Sequence, residues 1–166
     1  MRYALIREMD VTNGNNIGIS IFVQGCNFHC KGCFNPETWD YDGGKLFTDK
    51  TFDKIIEISD KPYIKRLSVL GGEPLSDKNI IDMYSFLESY KKIFPNKEIW
   101  LYSGYKFEEI KSNSNKNRIL QYIDILIDGQ FVEELKDLSL YYRGSSNQRV
   151  IDVNESLQQN KIIEYI

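Results

Sequence analysis

Ile17, Ile19, Ile21 and Val23 alternate with Gly18, Ser20 and Phe22, a period of two that predicts a β-strand buried on at least one face. The run leads directly into Gln24-Gly25 and a loop holding three cysteines. From Thr48 the period changes: Phe52, Ile55, Ile56 and Ser59 share one helical face, with Thr48 as the expected N-cap. Residues 66–70 predict a short apolar strand, broken by Gly71-Gly72. Ser76 is the expected cap of a longer helix whose stripe is Ile80, Tyr84, Leu87, Tyr90 and Phe94, ended by Pro95. A strand around 99–102, a short helix near 107–111 and a solvated polar loop over 112–117 are expected next. Residues 123–127 predict a strand ending at Asp128-Gly129, and 149–153 a last one before a tail of unassigned type.

Strands alternating with helices predict parallel βα units. Four of the expected strands end in glycines or polar residues: Gly25-Cys26, Gly71-Gly72-Glu73, Ser103-Gly104 and Asp128-Gly129. Reactive sites of parallel α/β folds lie at those C-terminal ends, so these residues are expected on one edge. A closed eight-stranded barrel takes about 250 residues. A chain of 166 residues is therefore expected to close only part of one, as a single α/β domain over 1–166: an incomplete βα barrel with parallel strands.

Composition narrows the function. Hydrophobic residues make up 42% and charged residues 27%, an ordinary globular balance. The net charge of −3 gives no basic excess with which to hold a nucleic-acid backbone. No apolar run reaches the roughly 20 residues of a membrane span, and a cytoplasmic protein is expected.

The cysteines change the picture most. Cys26, Cys30 and Cys33 are the only three, spaced C-x-x-x-C-x-x-C. An odd number so close together is no disulfide framework and points to metal. A closed zinc site wants four protein ligands and a simple 4Fe-4S site four thiolates, so three leave one position open. The alternative is a zinc-stapled interaction module with His29, the only histidine, as fourth ligand.

Residues 26–35, Cys-Asn-Phe-His-Cys-Lys-Gly-Cys-Phe-Asn, resemble the signature of radical S-adenosylmethionine enzymes, and Gly71-Gly72-Glu73-Pro74 resembles that superfamily's second motif. Residues 100–105, 126–131 and the heptapeptide 143–149, Arg-Gly-Ser-Ser-Asn-Gln-Arg, are similar to elements of the anaerobic ribonucleoside-triphosphate reductase activases. The likeness runs from about residue 10 to 153. Two positions depart from it: Gly18, where many relatives carry arginine, and Ser103, where they carry threonine. Residues 39–44 also resemble activases of other glycyl-radical enzymes, such as that of pyruvate formate-lyase, which is the second reading.

The resemblance implies a 4Fe-4S cluster held by Cys26, Cys30 and Cys33, with S-adenosylmethionine on the fourth iron. It implies reductive cleavage to methionine and a 5′-deoxyadenosyl radical, which takes a hydrogen from one glycine of the partner reductase. The expected partners are that glycyl-radical subunit and an electron donor such as flavodoxin or ferredoxin. Cofactor contacts are expected from Gly32, Cys33, Phe34, Gly71, Gly72, Glu73, Ser103 and Asp128, with Glu73 accepting from the cofactor's ammonium. No catalytic side chain is implied beyond those that hold cluster and cofactor. Phe28 and Phe34 are expected to shield the cluster, and the backbone N–H groups of 31–34 to face its sulfurs. The heptapeptide has three readings: an anion-binding turn, a docking surface, or a loop bonded to its own backbone.

Overall fold

A computed structural model describes residues 1–166 as one seven-stranded mixed sheet with helices on one face. The strands are β1 (Arg2–Asp10), β2 (Gly18–Val23), β3 (Lys45–Leu46), β4 (Arg66–Gly71), β5 (Glu98–Ser103), β6 (Ile125–Asp128) and β7 (Arg149–Asp152). The helices are α1 (Asp49–Ser59), α2 (Ile80–Ile93), α3 (Phe107–Ser112) and α4 (Val153–Gln159). Strand order is β3-β1-β2-β4-β5-β6-β7.

The parallel expectation holds for the four central strands, β2, β4, β5 and β6, and fails at both edges. β7 returns antiparallel to β6, β1 runs antiparallel to β2, and β3 antiparallel to β1. The residue pattern singles out no element before Ile17. β1 is half-exposed, with Leu5 and Met9 in solvent, so its apolar positions show no clean period.

Alternation along the central strands separates two faces. Ile19, Ile21, Val23, Leu67, Val69, Ile99, Leu101 and Leu126 join the main core beneath the helices. Phe22, Leu70 and Tyr102, from the alternate positions, line a cavity, while Trp100 packs in a smaller cluster with Ile125, Ile127 and Val150. One face of the central strands is thus packed under helices and the other is shared between a small cluster and the cavity.

Thr48 caps α1 as expected, in a capping box with Thr51. Ser76 does not cap α2. The helix begins later, with Asn79 as N-cap, and Ser76 instead heads the preceding turn, its carbonyl accepting from Asn79 and Ile80 N–H. The unassigned tail forms α4, capped by the Asp152 carboxylate on Glu155 N–H at 2.9 Å. The stretch 112–117 is not wholly solvated. Lys116 is buried, with its Nζ 2.6 Å from Asp77 Oδ1 and 4.8 Å from the centre of the Tyr105 ring. No helix is long and apolar enough to cross a membrane.

Candidate active site

The cysteine loop leaves the C-terminal end of β2 and is bound back onto the segment that follows it. Gly25 N–H donates to Thr38 O at 2.7 Å and Cys26 N–H to Trp39 O at 3.1 Å. Gly25 sits at φ +95°, and a Cβ there would lie 2.1 Å from the Tyr41 ring, so no other residue fits. The three cysteines are free and half-buried. Burial pushes the Cys26 and Cys30 thiols up, opposed by backbone N–H groups aimed at sulfur. The N–H groups within hydrogen-bond reach of sulfur come from outside the expected stretch 31–34. Phe28 N–H reaches Cys26 Sγ and Asn35 N–H reaches Cys33 Sγ, each at 3.4 Å.

Two phenylalanines flank the thiols. Phe28 lies edge-on to Tyr105, with ring centres 4.8 Å apart, and fills the space a side chain at Gly104 would need. Phe34 packs on Phe131 and Gly144 but remains 51% exposed, so it shields one side only. His29 does not join the thiols. Its ring lies flat on Trp39, 4.6 Å between centres, and no three Cys, His, Asp or Glu side chains gather as a single-ion site. With His29 turned onto Trp39, the fourth ligand of the zinc alternative does not face the thiols.

One cavity of about 510 Å³ lies over the C-terminal ends of β2, β4 and β5, within the size range of small-molecule sites. Its wall includes Cys26, Cys30, Cys33, Phe34, Gly71, Gly72, Glu73 and Ser103. Gly32 and Asp128 are outside it. Gly71 and Gly72 serve chain-to-chain approach. A Cβ on Gly72 would lie 2.4 Å from Gly25 O, and one on Gly71 2.8 Å from Val23 backbone. With no side chain at either position, Gly72 N–H donates to Val23 O at 2.9 Å and Glu73 N–H to Gly25 O at 2.8 Å.

Glu73 is buried, and its carboxylate ties two strand ends together. Oε1 accepts from Leu75 N–H and Ser103 Oγ, both at 2.8 Å, and Oε2 from Gly104 N–H at 2.7 Å. Burial raises its pKa to about 7, against the lowering pull of those three donors and of Lys116. An exposed glutamate releases its proton near 4.5, so between 4.5 and 7 the folded apo-protein holds a proton that the unfolded chain does not. The contribution of this group to stability is complete below that window and falls as pH rises through it. Glu73→Gln is expected to flatten the decline, as read by thermal melts of apo-protein across the window. A slope unchanged by the substitution counts against a shifted Glu73.

Residues 12–151 match a family model described as a 4Fe-4S single cluster domain. An anaerobic ribonucleoside-triphosphate reductase-activating protein of Haemophilus influenzae is 39% identical over 89% of this chain and 96% of its own. Proteins of that name from Escherichia coli K12 and bacteriophage T4 are 38% and 39% identical, covering 97% and 93% of their own lengths. The chain belongs to this family of anaerobic ribonucleotide reductase activases.

The donor set suits an iron–sulfur cluster: three soft sulfurs on one tight loop, facing a cavity, with main-chain N–H groups turned toward them. Other expected site residues are committed elsewhere. Asp128 accepts from Phe107 N–H at 2.7 Å, capping α3, and from Arg149 Nε at 3.0 Å. Arg149 also grips Glu108 with both amino groups, holding that carboxyl well below its usual range. The heptapeptide is bonded to itself, as one of its three readings expects. Gln148 Oε1 accepts from Gly144 and Ser145 N–H, and Arg143 Nη1 donates to Gln148 O at 2.7 Å. Arg143 nevertheless lines the cavity, together with Tyr102, Gln130 and Trp39; all four lie in stretches that carried the family resemblance, but none was expected as a cofactor contact. Trp39 carried a readable signal, as the aromatic residue closing the cysteine loop.

Proposed function

We propose that the chain activates an anaerobic ribonucleoside-triphosphate reductase as a radical S-adenosylmethionine enzyme. The observation that carries this is the meeting of three thiols, with no fourth cysteine in the chain, and the Gly71-Gly72-Glu73 strand end in one cavity wall. On this reading the mixed sheet is an incomplete radical S-adenosylmethionine barrel, a single domain over 1–166, at work in the cytoplasm.

Cys26, Cys30 and Cys33 would hold three irons of a 4Fe-4S cluster and leave the fourth to the amino and carboxylate groups of S-adenosylmethionine. When bound, these groups supply one-electron cleavage of the sulfonium and a 5′-deoxyadenosyl radical that takes hydrogen from a glycine of the reductase. The protein's own residues position and insulate. Glu73 has three of its roughly four acceptor sites filled, and the remaining one suits an ammonium donor. A cationic partner there stabilises the ionised carboxylate that burial alone disfavours. Ser103 orients Glu73, donating to its Oε1 while accepting from Tyr105 N–H at 3.1 Å. Phe28 and, on one side only, Phe34 reduce the access of water to the thiols. The electron enters from a donor such as flavodoxin or ferredoxin.

The deciding experiment mixes the reconstituted protein anaerobically with the reductase, S-adenosylmethionine and a reductant, and records the electron paramagnetic resonance spectrum. A glycyl signal on the reductase is expected; its absence, with an intact cluster, overturns the proposal. Glu73→Gln is expected to weaken S-adenosylmethionine binding about tenfold at unchanged iron content, the worth of a charge-assisted hydrogen bond. Loss of the iron instead would assign Glu73 to the cluster.

A further inference from the structure

The cavity wall and the outer surface share a segment. Asp137 organises the turn over 137–142: its Oδ1 accepts from Ser139 N–H at 2.9 Å and Ser139 Oγ at 2.6 Å, and its own N–H donates to Gly144 O at 3.1 Å. On this braced turn Leu138 is 79% and Tyr141 74% exposed. Leu138 also lines the cavity. A second segment repeats the arrangement: Val11 is 67% exposed, and the next residue, Thr12, lines the same cavity. Large apolar side chains held in water by a hydrogen-bonded turn forgo the free energy that burial would release. Where they continue into a binding cavity, they mark a surface that a partner covers.

We propose that Val11, Leu138 and Tyr141 form the seat of the reductase segment whose glycine enters the cavity. This rests on the function proposed above. The reacting hydrogen sits on main-chain Cα, and each neighbouring residue spans at most about 3.6 Å. The residues flanking the glycine must therefore cross the cavity rim within a few positions and meet these side chains. A second copy of this chain seated here would close the cavity that the glycine has to enter.

The test uses Val11→Ser/Tyr141→Ser, two exposed positions outside the cavity wall, with Tyr141→Ser alone as the milder variant. Three quantities are read: cofactor cleavage without reductase, the reductase concentration giving half-maximal glycyl radical, and sedimentation of the protein alone and with reductase. Partner-free cleavage and self-association are expected to stay as in the unsubstituted protein. Half-saturation is expected to rise about tenfold, the scale of losing buried interface anchors, and co-sedimentation to weaken with it. Unchanged half-saturation overturns the proposal, and altered self-association with unchanged reductase dependence assigns the seat to a second copy. Failure of the unsubstituted protein to cleave cofactor overturns the proposed function instead; co-sedimentation still decides whether the reductase uses this surface.

Discussion

Alanine at Cys26, Cys30 or Cys33 is expected to abolish cluster loading and, with it, every trace of 5′-deoxyadenosine production. Two remaining thiolates leave a second iron without protein ligand, and nothing nearby takes over: His29 is stacked on Trp39, and no carboxylate gathers with the thiols as a metal site. The fold itself should survive. All three side chains are only half-buried, and the loop is held by main-chain bonds to Thr38 and Trp39. Apo-protein melts are therefore expected to shift by no more than about 0.5 kcal/mol in stability, as for substitutions away from the core. Iron and sulfide per chain after anaerobic reconstitution provide the measurement. Any of the three variants that keeps full iron and cleaves the cofactor removes that cysteine from the ligand set.

The largest loss of stability is expected at the opposite end of the sheet, from Arg66→Met. Arg66 is fully buried at the start of β4, where its guanidinium pairs with Asp10 Oδ1 at 3.0 Å and donates to Asn15 O at 2.8 Å and Ser68 Oγ at 2.7 Å. Burial pushes the Asp10 carboxyl up, but N–H groups of Asn13 and Thr12 and the Arg66 guanidinium outweigh it and hold the carboxyl below its usual range. Removing the cation leaves the buried carboxylate only the half-exposed Arg7, 3.6 Å away, as a cationic partner and unpairs the loop carbonyls, a change that costs about 3 kcal/mol. Urea unfolding reads this directly. Asp10→Asn combined with Arg66→Met should recover part of the loss, since no unpaired charge then remains. A single variant within about 1 kcal/mol of the parent would show the pair to be dispensable.

Arg66 also explains one departure from the family pattern. At Gly18, where the family resemblance leads one to expect arginine, a Cβ would lie 2.4 Å from the Arg66 side chain. The space is already occupied by a guanidinium arriving from the neighbouring strand.

What the sequence disclosed, and what it hid, follows from the range of the forces involved. Period-two alternation over 17–23 and the turn chemistry at Gly71 and Asp128 are local, and the central strands lie where they predict. The thiols, Glu73 and Ser103 share a wall because strand ends converge, a property of the topology that alternation already implied. Asp128 shows the limit. Its place at a strand end was readable, but its partner Arg149 comes from the adjacent antiparallel strand, and pairing across a sheet leaves no periodic trace. Lys116 is hidden for the same reason. Within a polar stretch it reads as solvated, and only the arrival of Asp77 and Tyr105 from other elements makes its burial tolerable.

The two main-chain bonds from Gly72 and Glu73 to Val23 and Gly25 have a mechanical consequence. The sulfur-bearing loop and the carboxylate-bearing loop are riveted through peptide groups, with no rotatable side chain between them. Their separation is thus inherited from the ladder spacing of the sheet, and drift in the surrounding residues leaves that gauge untouched.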